Sequence, residues 1–222
     1  EIKSWSDYEI LEIVISIIRI ASLGDAEATV KRCSRHNALR KVGELIRYVE
    51  HHKDKLQAGI EVAAVGNGLD CIDPNTRKRY RNPGQVIDLF TKELKREDFW
   101  ARNDSAAFKR RISGESKTIL YVVDNAGEDI LEVVTLVRLL LEAGHKVVLA
   151  GKALPAANDA TADELRSILC EPMVKLLLGI YHKNVSVVST GTISLGTDLM
   201  RVSVEFRSAW QQADIVVFKG QA

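Results

Sequence analysis

Thr118-Ile-Leu-Tyr-Val-Val-Asp-Asn-Ala-Gly-Glu128 is the stretch on which the fold turns. Ile119 to Val123 are apolar, mostly β-branched or aromatic, and read as a buried strand. Asp124 and Asn125 follow with no spacer, and after Gly127 and Glu128 an apolar helical pattern begins. A carboxylate and a carboxamide at the carboxyl end of a central strand stand where open α/β sheets place their ligands. Both offer oxygen, the donor that a hard divalent cation takes. Gly127 permits a tight turn, and the helix start beyond it is expected to present N–H groups to an anion. The turn is a candidate active site.

Reading outward, strands alternate with helices from residue 116 onward. Strand 118–123 leads to helix 129–143, closed by Gly144, and strand 146–150 leads to helical residues 161–178. Strand 185–188 leads through a glycine-rich loop to a helix expected over 198–211, and strand 215–218 follows. That alternation predicts an α/β fold with a Rossmann-like, doubly wound, mostly parallel sheet.

Before residue 113 the pattern is helical. Residues 4–23 carry apolar side chains at three- and four-residue spacing up to Gly24, and Asp25 is expected to cap a second helix that reaches Val49. The charged positions Lys31, Arg32, Arg35, Arg40 and Lys41 read as a solvated face. Gly66-Asn67-Gly68 reads equally well as a plain turn or as a polar group set among apolar neighbours. A basic loop is expected over Arg77 to Arg81, and another helix from Pro83 to Leu94. Phe99, Trp100 and Phe108 are expected to pack this half together. Ser113-Gly-Glu-Ser116 is the best boundary, dividing a helical N-terminal domain, 1–113, from an α/β core, 114–222.

The chain has 222 residues, 46% hydrophobic and 27% charged, an ordinary globular balance. A net charge of +1 argues against a nucleic-acid footprint. Cys33, Cys71 and Cys170 are scattered and form no CxxC pair, so neither a disulfide framework nor a structural zinc site is indicated, and a reduced, cytoplasmic setting is the simplest expectation. Ile10 to Leu23 is too short and, with Glu12 and Arg19, too charged to span a bilayer, and no signal peptide is evident. Oligomeric state is not legible. The chain opens on Glu1 rather than methionine and stops after an apolar strand, so residues are expected to be missing from both ends.

The loops after four parallel strands share one face. They read Asp124 to Glu128; Ala157-Asn-Asp-Ala-Thr161; Ser189-Thr-Gly-Thr192 running on to Asp198; and Lys219-Gly-Gln221. Each holds small residues with polar groups suited to a cation and a phosphate. Each also has a plain reading: Asp159 and Asp198 as helix caps, Lys219 as a surface lysine. The Asp124-Asn125 pair is harder to dismiss, because polar groups ending a buried strand lose hydration and need partners. There is no G-x-G-x-x-G after the first of these strands, no Walker lysine motif, no nucleophile elbow and no zinc helix. His145, after a helix-ending glycine, reads as structural.

The ordered set Ala64-Val-Gly-Asn-Gly-Leu-Asp70, Asp124-Asn-Ala-Gly-Glu128, Asn158-Asp-Ala-Thr161, Gly196-Thr-Asp-Leu199 with Val202-Ser203, and Ala213-Asp214 through Lys219-Gly-Gln221 resembles the ARMT-like damage-control phosphatases, also known as domain of unknown function 89. The resemblance runs over roughly residues 60 to 222. It implies a metal-dependent phosphatase with an α-helical N-terminal part and a Rossmann-like core. It further implies Asp124, Asn125 and Asp159 as metal ligands and Lys219 as the phosphate-binding cation, with Asn67 and Asp198 lining the pocket. Two departures stand out: the chain stops just past the Lys-Gly-Gln motif, and the cysteine pair near the start of many prokaryotic relatives is absent.

The expected activity is therefore hydrolysis of small phosphorylated metabolites with manganese, nickel, cobalt or magnesium. Lys219, the Gly191-Thr192 backbone and the helix start at Glu128 are expected to offset phosphoryl charge. Asp198 or Glu128 is the candidate for proton handling, and Asp124 is a ligand more readily than a nucleophile. Two other readings stay open: a methyltransferase binding S-adenosylmethionine, and a non-catalytic metabolite-binding module.

Overall fold

A computed structural model describes residues 6–67, 92–93 and 100–220. The basic loop at Arg77 to Arg81, the helix expected from Pro83, Phe99 and Cys71 lie outside the described residues. Helix α1, Asp7–Ala21, starts with a capping box: the Ser6 hydroxyl accepts the Glu9 N–H, and the Glu9 carboxylate accepts the Ser6 N–H. Glu12 ties α1 to the rest of the chain by accepting from the Ser194 hydroxyl at 2.6 Å and pairing with Arg201. Helices α2, Ala28–His51, and α3, Lys55–Asn67, follow, then α4, Ser105–Ile112.

From Thr118 onward the chain alternates as expected. Strand β1, Thr118–Val122, leads to α5, Glu128–Glu132, which continues through a π-helical turn, Val133–Val137, into α6, Arg138–Glu142. Strand β2, Lys146–Gly151, is followed by α7, Ala162–Cys170, and α8, Pro172–Leu178. Strand β3, Val185–Ser189, α9, Val204–Gln212, and β4, Ile215–Phe218, complete the described part. The strands lie in the order β3-β2-β1-β4, every neighbouring pair parallel.

Alternation along β1 divides the core. Ile119, Tyr121 and Val123 join a cluster with α2, α3, α5 and α7, whereas Leu120 and Val122 face Phe206 of α9. Helices thus cover both faces, and β1 is buried from Ile119 onward, which explains its unbroken apolar run. Strand order reverses between β1 and β4. The crevice at such a reversal is where this architecture binds ligands.

Four expectations need correction. The helix expected from Asp198 starts at Val204, because the Ser203 hydroxyl takes the Phe206 N–H while Asp198 accepts the Met200 N–H in a turn of its own. Residues 161–178 form two helices, since Pro172 cannot donate a helical hydrogen bond and begins a new one. Asp25 accepts from the Glu27 N–H ahead of α2 and caps that turn rather than the helix. The charged face of α2 is only partly solvated: Lys31 and Lys41 are buried, and Lys31 pairs with Asp25 at 3.1 Å and Glu164 at 3.5 Å. Arg32 and Arg40 do remain exposed.

Candidate active site

The loops after β1 and β2 are stitched together through their backbones. Ala126 N–H donates to Asn158 O at 2.8 Å, Ala160 N–H donates to Asp124 O at 2.7 Å, and Asn125 and Asp159 form an antiparallel bridge. Lys152 clamps the root of the second loop: its N–H donates to Ala160 O and its carbonyl accepts from Ala162 N–H, each at 2.9 Å. Asp159, distant in sequence from the consecutive Asp124 and Asn125, is therefore their neighbour for reasons independent of the side chains. All three are buried, and Asn125 Nδ2 lies 3.4 Å from Asp124 Oδ2.

The electrostatics follow from burial. Loss of water pushes the Asp159 carboxyl up to about 7; Lys152 opposes that rise, the Asp124 charge adds to it, and Lys31 opposes it more weakly. Burial also lowers the Lys152 ammonium, against the pull of Asp159 and Asp124. Two dry carboxylates and a carboxamide, all oxygen donors, suit a hard divalent cation, whose charge would relieve their mutual repulsion. Among the described residues no group of three or more His, Cys, Asp or Glu side chains is placed to hold a metal ion. Any cation here would thus rely on the Asn125 carboxamide and on water to complete its shell.

Lys219, directly after β4, is 6% exposed and stands across the reversal point from this pair of loops. Its Nζ pairs with Glu132 and lies 3.2 Å from Glu128 Oε2, and the Tyr121 hydroxyl donates to the other Glu132 oxygen at 2.9 Å. Burial alone would lower the Lys219 ammonium, but Glu132 and Glu128 outweigh it and hold it above the ordinary lysine range. A Cβ built on Gly66 would stand 3.4 Å from Nζ, so α3 brings its glycine directly over the cluster. Asn67 is the last residue of α3, next to that glycine. A cleft of about 570 Å³ runs from here, lined by Ala63, Phe108, Tyr121, Val217, Lys219 and Gly220.

The anion-receptive helix start is corrected by the structure. Gly127 and Ile130 donate their N–H groups to Asp129 Oδ1 at 2.7 and 2.8 Å, so those donors are already taken. The Gly191 N–H donates to the Ser189 hydroxyl at 3.1 Å and the Thr192 N–H to the Thr190 hydroxyl at 3.4 Å, which leaves that backbone with less to offer a phosphate than expected. Glu128 is committed to Lys219. Asp198 is half-buried in its own turn, two residues beyond the Gly196 carbonyl that Lys152 contacts. Nor is Asp159 a helix cap: Thr161 fills that place, with Glu164 closing its capping box.

Two predictions arise here. Gly127 has φ +104°, and a Cβ on it would fall 2.5 Å from Ser34 Cβ. Gly127→Ala combines left-handed strain with overpacking against α2, and should cost roughly 2–4 kcal/mol, read as a lowered urea midpoint at unchanged m. Burial raises Asp129 to about 6, with Arg35 and two backbone N–H groups opposing. A raised carboxyl favours the folded state below its unfolded value, and that contribution is lost as pH rises through about 6. Asp129→Asn should therefore gain stability over wild type between pH ~4 and ~6, by about 3 kcal/mol at most, in paired melting curves.

Reading by sequence missed Lys152, Glu132 and Tyr121. A signal existed for the first: Lys152 ends an apolar strand as Asp124 and Lys219 do. For Glu132 the overlooked signal is its setting, a charge within Ile130-Leu131-Glu132-Val133-Val134.

The fold and this edge define a doubly wound α/β protein with paired acidic loops and a buried lysine at the strand reversal. The chain belongs to the damage-control phosphatase ARMT1-like domain family, whose model matches residues 19–222. It is 29% identical over 182 residues to the damage-control phosphatase PH1575 of Pyrococcus horikoshii, a match covering 82% of this chain and 56% of that protein. It is 26% identical to pantothenate kinase 2 of Oryza sativa over 95% of this chain and 27% of that protein. The crystal structure of the Pyrococcus protein, described as a duf89 family protein, superposes with a TM-score of 0.71 at 26% identity, covering 92% of this chain and 64% of the other. The chain thus spans about half the length of the first relative and about a quarter of the second. Among the described residues no helix is long and apolar enough to cross a membrane.

Proposed function

We propose that this chain forms the catalytic core of a divalent-cation-dependent phosphatase acting on phosphomonoesters of small metabolites, sugar phosphates or damaged phosphometabolites. The observation that carries the reading is the backbone pairing of the Asp124-Asn125 and Asn158-Asp159 loops at the strand reversal, beside Lys219. Membership of the damage-control phosphatase family supports it. Asp124, Asn125 and Asp159 hold the cation, and their oxygen donors suit manganese, nickel, cobalt and magnesium alike. When bound, the cation supplies Lewis-acid polarisation of the phosphoryl group and a more acidic water.

The chain's own groups do the rest. Lys219, kept charged by Glu132 and Glu128, draws the phosphate to the reversal point. The cleft beside it takes the organic part of the ester, with residues 1–113 acting as a cap and Asn67, the last residue of α3, contributing to substrate binding. Proton handling falls to Asp198, since Glu128 is held by the Lys219 ammonium.

The test is phosphate release from a panel of phosphosugars and generic phosphomonoesters. The protein is stripped with chelator and resupplied with one cation at a time. Release that requires a cation supports the reading. Release that is indifferent to chelator, or none with any cation, removes it.

A further inference from the structure

The two buried lysines at this edge are held very differently. Lys219 has two carboxylate partners, whereas Lys152, 2% exposed, donates one hydrogen bond, to Gly196 O at 3.0 Å, and stands 3.7 Å from Asp159 Oδ2. That separation is an ion pair beyond hydrogen-bond length. Lys152 is also fixed at its root, because its backbone is bonded on both sides to the loop that carries Asp159. Its ammonium therefore stays beside the loop pair whatever its side chain contacts.

We infer that Lys152 exchanges partners: it neutralises Asp159 in the cation-free protein and, once a divalent cation engages that carboxylate, donates to the phosphoryl oxygens of the substrate. The inference rests on the phosphatase reading above. Charge gives the reason. Asp124, Asp159 and Lys152 together are net negative and repel a phosphate; a dication added to them makes the group net positive. Lys31, the other cation near Asp159, cannot take this part, since Asp25 and Glu164 hold it at 3.1 and 3.5 Å. Lys219 does not exchange partners, because Glu132 and Glu128, neither of them a cation ligand, hold it; its pull on phosphate adds to that of Lys152 and does not switch with the cation. The coupling is reciprocal: phosphate must tighten the cation as much as the cation tightens phosphate.

Calorimetric titration of Mn²⁺ alone, then of inorganic phosphate with and without Mn²⁺, tests this on wild type, Lys152→Met, Lys152→Arg and Asp159→Asn. Lys152→Met lacks the competing ammonium and should bind Mn²⁺ several-fold more tightly, while its Mn²⁺-loaded form binds phosphate about tenfold more weakly or worse. Lys152→Arg should retain most of the phosphate affinity. Asp159→Asn imitates neutralisation by the cation and should bind phosphate several-fold more tightly than wild type in chelated buffer. This arm keeps the test decisive should Lys152→Met fold poorly. A residue that merely latched the loops would give weaker Mn²⁺ binding in Lys152→Met with phosphate affinity unchanged; that result, or no gain in Asp159→Asn, overturns the inference alone. Wild-type protein that takes up none of Mn²⁺, Co²⁺, Ni²⁺ and Mg²⁺ overturns the phosphatase reading and this inference with it.

Discussion

Asp124→Asn is expected to lower cation-dependent phosphate release on the order of a thousandfold while leaving the protein folded. The size follows from the role: a cation that polarises a phosphoryl group is worth several kcal/mol in the transition state, and each ~1.4 kcal/mol is tenfold. The fold should survive because the anchor here is backbone. Ala160 N–H donates to the Asp124 carbonyl, which the substitution keeps. The side-chain charge raises both Asp159 and Glu132, a burden that its attraction for the Lys152 ammonium only partly offsets. The neutral isostere relieves that repulsion, so the cation-free melting temperature should hold or rise. Turnover with saturating Mn²⁺ and the melting curve of the same sample make the comparison. Wild-type turnover in Asp124→Asn would remove Asp124 from the cation site.

Lys219→Met should have the largest effect on stability. It leaves Glu132, 1% exposed, and Glu128, also buried, with no ammonium between them. Breaking a buried pair by removing one partner costs about 3–5 kcal/mol. Burial already raises Glu132 with Lys219 in place, so without it the carboxyl rises further. A raised carboxyl favours folding at low pH, so the deficit of Lys219→Met should shrink toward pH ~5 and widen above it. Adding Glu132→Gln keeps an acceptor for the Tyr121 hydroxyl and removes the stranded charge, and should restore much of the loss. Urea unfolding of wild type, both single variants and the double variant gives the coupling; additive losses would show the pair to be unimportant.

The α/β half was legible because its pattern is strong. A five-residue apolar run ending in polar residues, followed by a 3.6-period helix, has few other readings, and all four strands fall within a residue or so of their expected bounds. The helix expected from Asp198 was misplaced because Asp and Ser are equally good at ending a turn and starting a helix. Only the local geometry shows which carboxylate or hydroxyl meets which N–H. The partly buried face of α2 was illegible for a related reason: Lys31 is a surface residue by composition, and is interior only because Asp25 and the distant Glu164 meet it, Glu164 also pairing with the half-buried Arg35.

The sequence by itself determined the periodicities, hence the strands, most of the helices, the sheet class and the polar groups at the strand ends. Those depend on residues close in the chain. Tertiary structure alone decided which of these groups share an environment: that Asp124 and Asp159 are stitched together while Asp129 closes the helix start, that Lys219 is doubly countered and Lys152 is not. Charge and burial act through space, and a dry carboxylate's pKa depends on the cation beside it more than on its neighbours along the chain.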